Sequence, residues 1–193
     1  RDSVRFEAIK REVLALPAPP KAAKPGGPVA PPSANLVPYK TDSFALQYPE
    51  NWKRYPDSDG KGASFAPEGG IVQTTSGAGA LAYGLIVRVD AGQGSAGDEG
   101  ALKDATQKLI DGLEQSNAKM KVASQTRTKL SGQPAIATRL SNESPVGGGE
   151  TDWLMTTLRP EGLVYFVCVA PEKEFGKYEK ACAAVFESVQ LPK

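Results

Sequence analysis

Three carboxylates flank one glycine-rich loop: Glu143, Glu150 and Asp152, around the run SPVGGG. Paired acids can cleave glycosidic bonds, one as proton donor and the other as base or nucleophile. A glycine-rich loop mounts such a pair loosely, so these groups are expected to be solvated hairpin charges, with a small carboxylate-dependent hydrolase as the alternative. Asp90, Asp98 and Glu99 sit among glycines in VDAGQGSAGDEG and suggest oxygen ligands for calcium. The alternating spacing of an EF-hand loop is absent, and Asp98 and Glu99 stand where a helix N-terminus favours negative charge, so capping is expected. The G-x-G in TSGAGALAYG, residues 75–84, lacks the Gly-Lys-Ser/Thr of a phosphate loop and precedes a strand where a nucleotide site needs a helix. No metal and no cofactor is expected.

Histidine is absent from all 193 residues. Ser-His-Asp and Cys-His catalysis, histidine metal ligation and the usual near-neutral proton shuttle are thereby excluded. Cys168 and Cys182 fall in an apolar strand and on the apolar face of a helix. Packing of that helix on that strand would permit a disulfide, although buried free thiols are the commoner use of such residues. A bond would argue for an oxidising compartment. A net charge of +1 and a pI near 7.9 give no field to recruit nucleic acid or an anionic membrane. No apolar run is long enough to span a membrane. The chain opens on Arg1 and shows no signal peptide, so it reads as a fragment or processed form with any targeting signal upstream.

The elements that must position these groups divide the chain in three. Residues 1–16 place Val4, Ile9, Val13 and Leu16 near one helical face, a helix expected to belong to an upstream domain. Residues 17–38 are rich in Pro, Ala and Gly and form a linker favouring extended backbone. Residues 39–193 form the domain proper. Its expected strands are 44–49, 63–67, 71–74 (paired with 63–67 across Glu68-Gly69-Gly70), 81–89, 119–129, 133–141, 151–159 and 163–170. Leu102, Ala105, Leu109, Ile110 and Leu113 repeat at helical spacing up to Asn117, and a last helix runs from about Lys173 to Val189. Short connections between most strands predict a largely antiparallel α+β layered domain flanked by helices.

The aromatic residues gather where FALQYPENWK turns. Tyr48, Trp52, Tyr55 and Phe65 are expected to plug the end of the sheet. The alternative is a binding surface made of Trp52, Tyr55, Tyr83 and Trp153, together with loops 75–81 and 144–150.

FALQYPENWK, LSGQPAIATRLSN and the closing GLVYFVCVAPEKEF…VFESVQL resemble a PsbP/Mog-like domain. In that family one strand reads Phe-x-x-x-Tyr-Pro-x-x-Trp, matched by Phe44, Tyr48, Pro49 and Trp52. The terminal helix ends in Phe-x-x-Ser-Val or a close variant, where Phe186, Ser188 and Val189 lie across its positions. The resemblance covers residues 39–193 and implies a sheet sandwiched by helices that serves as a binding or assembly module. A short helix, a Pro-rich spacer and such a domain also resemble the C-terminal accessory region of bacterial exported HExxH zinc metallopeptidases. None of that class's catalytic residues is present here. The resemblance implies a non-catalytic chain, periplasmic or extracellular, with a protein or its own upstream peptidase domain as partner; a small-ligand carrier is the alternative.

Overall fold

The computed structural model describes residues 28–74, 79–92 and 97–192. The expected helix over 1–16 and the first part of the spacer lie outside the described residues. Eleven strands and two helices follow: β1 (Leu36–Lys40), β2 (Ala45–Pro49), β3 (Trp52–Pro56), β4 (Gly62–Pro67), β5 (Ile71–Gln73), β6 (Gly79–Leu81) and β7 (Gly84–Ala91). Then come α1 (Glu99–Ser116), β8 (Lys121–Leu130), β9 (Gln133–Glu143), β10 (Gly149–Arg159), β11 (Gly162–Pro171) and α2 (Phe175–Ser188).

Seven strands form one antiparallel sheet in the order β3-β4-β7-β11-β10-β9-β8. This is the α+β arrangement expected from short connections. Alternation of side chains along each strand divides the core into two layers. Val164, Phe166, Cys168 and Ala170 of β11 face α2 and the β1–β2 hairpin. Leu163, Tyr165, Val167 and Val169 face α1.

The two stretches that carry the family resemblance meet in space. Phe44 and Leu46 are buried, and Phe44, Phe166 and Phe186 form successive edge-to-face contacts with centroids 6.1 and 6.2 Å apart. The Gln47 amide donates to the Ser188 hydroxyl at 2.8 Å, and Ala45 and Gln190 exchange backbone bonds at 2.8 Å. The Ser188 position therefore ties the end of α2 to β2.

Three expectations need correction. β5 pairs with β6 and not with β4. At Gly70 the backbone accepts from Ala82 and Tyr83, so the chain leaves the sheet instead of folding back on β4. The apolar run 81–89 is not one strand, because it breaks at Ala82 and Tyr83 and resumes at Gly84. There φ is +144°, and a Cβ would strike the Phe65 carbonyl at 2.1 Å, so only glycine lets β7 approach β4. Finally, β1 takes up the last residues of the expected spacer, and Val29 packs against the α2-side core. Pro38 is tolerated because β1 pairs only with β2, leaving one side of the strand unpaired.

Candidate functional site: an acid pair under the end of helix α1

Helix α1 starts where Asp98 accepts from the Ala101 amide at 2.9 Å, the expected cap. It buries Leu102, Thr106, Leu109 and Ile110 against β9, β10 and β11. Thr106 and Thr156 of β10 share a buried hydroxyl bond of 2.7 Å that sets the helix on the sheet. Toward the C-terminal end the packing loosens. Position 112 is glycine and contributes no side chain, and Leu113 is only half-buried. A cavity of about 330 Å³ opens there, walled by Leu113 and Met120 on one side and by Ile86, Leu140, Val167 and Val169 on the sheet.

Glu150 and Asp152 occupy one end of this cavity. They are two residues apart on β10, so both point to the α1 face. Asp152 is 3% exposed and Glu150 6% exposed. Glu150 Oε2 and Asp152 Oδ1 are buried with no hydrogen-bond donor, and Asn142 Nδ2 reaches Glu150 Oε1 only at 3.5 Å. Burial raises both carboxyls, and the neighbouring Asp152 charge lifts Glu150 further, to about 9 from an ordinary 4.5. Asp152 rises to about 7 through burial, partly offset by its hydrogen bond to Glu150. Between about pH 7 and about pH 9 the two therefore share one proton.

This overturns the expectation of solvated hairpin charges for Glu150 and Asp152. β10 begins at Gly149, so both belong to the sheet and not to the loop, and their parity is that of Leu154 and Leu158. Glu143 is exposed, at the mouth of the cavity. Asp98 is used by the α1 cap, Glu99 pairs with Arg127 at 3.0 Å, and Asp90 is half-buried at the far end of β7. Among the described residues these acids gather no metal cluster.

The four aromatic residues considered as a surface do not form one. Trp52 is 3% exposed and stacks on Tyr178 at 6.2 Å, so this member of the surface reading is corrected to core. Tyr83 is also buried, 5.5 Å from the Tyr178 ring, and its hydroxyl donates to Glu174 at 2.7 Å; burial and that carboxylate push it up to about 12. Trp153 is half-buried, edge-on to Phe186 with the Arg139 guanidinium 3.9 Å above its ring. Tyr55 packs on the opposite, α1-side layer. Packing explains the difference, because α2 and β2 cover the face that Trp52, Tyr83 and Trp153 share.

Cys168 and Cys182 form a disulfide joining β11 to α2, with Cα atoms 6.2 Å apart. Of the two loops proposed to flank the surface, residues 75–78 lie outside the described residues. Ala80 and Leu81 line the α1 cavity, and so does Pro145. Val146–Gly149 instead border a second cleft of about 690 Å³ beside Tyr83, Lys173 and Lys177. The α1 cavity was not legible as a site. Its one signal was parity: Glu150 and Asp152 continue the buried alternation of β10.

No family model and no curated protein matches the chain. Among solved structures it is similar to cyanobacterial PsbP (CyanoP) from Synechocystis sp. PCC 6803, at 14% identity over 90% of this chain and 99% of that one, with a TM-score of 0.61. LpqN of Mycobacterium tuberculosis, involved in cell envelope biogenesis, matches at 13% identity over 82% and 91%, with a TM-score of 0.48. PA94 of Pseudomonas aeruginosa, a protein of unknown function, matches at 11% over 83% and 99%, with a TM-score of 0.49. The fold is thus PsbP-like. No helix among the described residues is long and apolar enough to cross a membrane.

Proposed function

We propose that this chain is a non-catalytic binding module whose ligand enters the cavity beneath the C-terminal end of α1. One observation carries the reading: a largely apolar cavity of about 330 Å³ with two converging carboxyls at one end. Its volume is at the lower end of the roughly 300–1,000 Å³ of small-molecule sites, and a few polar groups in an apolar wall are what orient a ligand. Glycosidase chemistry fits poorly, because the carboxyls are within hydrogen-bond reach of each other. Such enzymes hold theirs roughly 5 Å or more apart to admit the sugar or a water.

The wider setting we propose is the accessory domain of an exported zinc metallopeptidase-like protein, binding a protein partner or its own upstream peptidase domain. Support comes from the sequence order of an apolar helical repeat, a Pro-rich stretch and the PsbP-like domain, and from the disulfide, which persists in oxidising compartments.

Calorimetric titration with n-hexanol tests the cavity. Wild-type protein is expected to bind it, and Ile86→Trp, which fills the half-buried sheet wall, is expected to abolish binding while the protein stays folded. Binding undiminished in Ile86→Trp, or no binding to wild type, would overturn the assignment.

A further inference from the structure

Every charged side chain lining the α1 cavity is an acid. Glu150 and Asp152 stand at one end, and Glu143 is exposed at the mouth. Ser116 and Asn117 bring the C-terminal end of α1 to the wall, and the carbonyls there carry the negative pole of the helix. The last turn of α1 holds no basic residue to offset it, and no Lys or Arg is among the described lining residues. Glu150 Oε2 and Asp152 Oδ1 nevertheless lie buried without a donor. A buried carboxylate without a partner costs stability unless a proton or a cation meets it. The rest of the wall is mostly aliphatic, with Thr74, Asn142 and Tyr165 among its polar members.

We infer that the cavity is built for a small organic ammonium: a positively charged amine on an apolar body, whose N–H groups bridge Glu150 and Asp152. This deepens the binding-module reading above and rests on it. The shared proton of the free protein holds the place of the ligand's charge. On binding, the ammonium donates to the two carboxylates, the shared proton leaves to solvent, and the apolar body covers Val167, Val169 and Leu113. A bare divalent cation suits the site less well. It wants six or more oxygens, whereas among the described residues the acids here gather no cluster of three that could hold a metal ion.

Proton release makes the affinity depend on pH. The titratable groups facing the pair are Glu143 at the mouth and Tyr165 on β11, with none from α1 in the wall. Amine affinity should therefore climb from about pH 6 to about pH 9 as first Asp152 and then Glu150 loses its proton.

The test compares n-hexylammonium with n-hexanol, which matches its body but lacks the charge. Titrations are run at pH 6 and pH 8.5 on wild type and on the near-isosteric variants Asp152→Asn and Glu150→Gln. Wild type should prefer the amine by at least about tenfold at pH 8.5, as expected for charge-assisted bonds. The preference should shrink at pH 6 and vanish in both variants, which removes a buried charge and leaves the fold intact. If the alcohol binds as well as the amine, the cavity stands and the ammonium inference falls. If neither binds, both fall. Displacement of the amine by micromolar Ca²⁺ or Zn²⁺ would make this a metal site and would likewise overturn it.

Discussion

The two faces of one sheet are built from different chemistry. The α2 face is aromatic and covered: Phe44, Phe65, Phe166, Phe186, Trp52, Tyr83 and Tyr178 pack together beneath α2 and the β1–β2 hairpin. A disulfide ties β11 to α2 across it, and Ser188 bonds to β2. The α1 face is aliphatic, is crossed by buried Thr106, Thr138 and Thr156, and ends in an acid pair beside a cavity. Large rings fill space and fix geometry, while an aliphatic wall with a gap at Gly112 leaves room for something else. One face holds the fold together, and the other carries the buried acid pair.

The largest effect that could break this contrast is at Trp52. As a ring stacked on Tyr178 in the closed layer, Trp52→Ala should cost about 3–5 kcal/mol in urea unfolding. A loss below about 1 kcal/mol would return Trp52 to the surface and blur the two faces.

A smaller effect of opposite sign sharpens the contrast. Glu150 and Asp152 have folded-state values raised above those of the unfolded chain. Between the two the folded state binds more protons, so stability is greatest below about pH 4 as far as this pair is concerned and declines toward about pH 9. The double variant Glu150→Gln, Asp152→Asn should remove that decline and gain about 1–3 kcal/mol near pH 9. Urea midpoints across the pH range would show it. Parallel wild-type and variant profiles would mean that the pair is hydrated and the α1 face is not a closed site.

Much of the architecture could be read in advance, and the reasons are local. Asp98 before an apolar helical repeat marks a helix start, and Pro160-Glu161-Gly162 between two apolar runs marks a hairpin, whose register closes one residue earlier than that, at Arg159 and Gly162. Phe44, Leu46 and Tyr48 alternate as a half-buried strand must. β1 was hidden because Pro38 made it look like spacer, and β3 because Lys53 and Arg54 are exposed and the strand ends at Pro56, leaving little alternation to detect. The acid pair was misjudged for another reason. A glycine run beside three acids has the composition of a solvated loop, and only the tertiary placement of α1 decides that the even face of β10 is covered. Burial of a charge is set by what lies above it, which no local pattern records.

The central claim is that the ligand site belongs to the α1 face while the α2 face is structural. Amide chemical-shift mapping of the ¹⁵N-labelled chain with n-hexylammonium tests this most directly. Shifts are expected to concentrate at Leu113, Ser116, Leu140, Glu150, Asp152 and Val167, with the amides of Phe166, Cys182 and Phe186 unmoved. Shifts centred on Gly147, Gly148, Lys173 and Lys177, around the cleft on the other side, would contradict it.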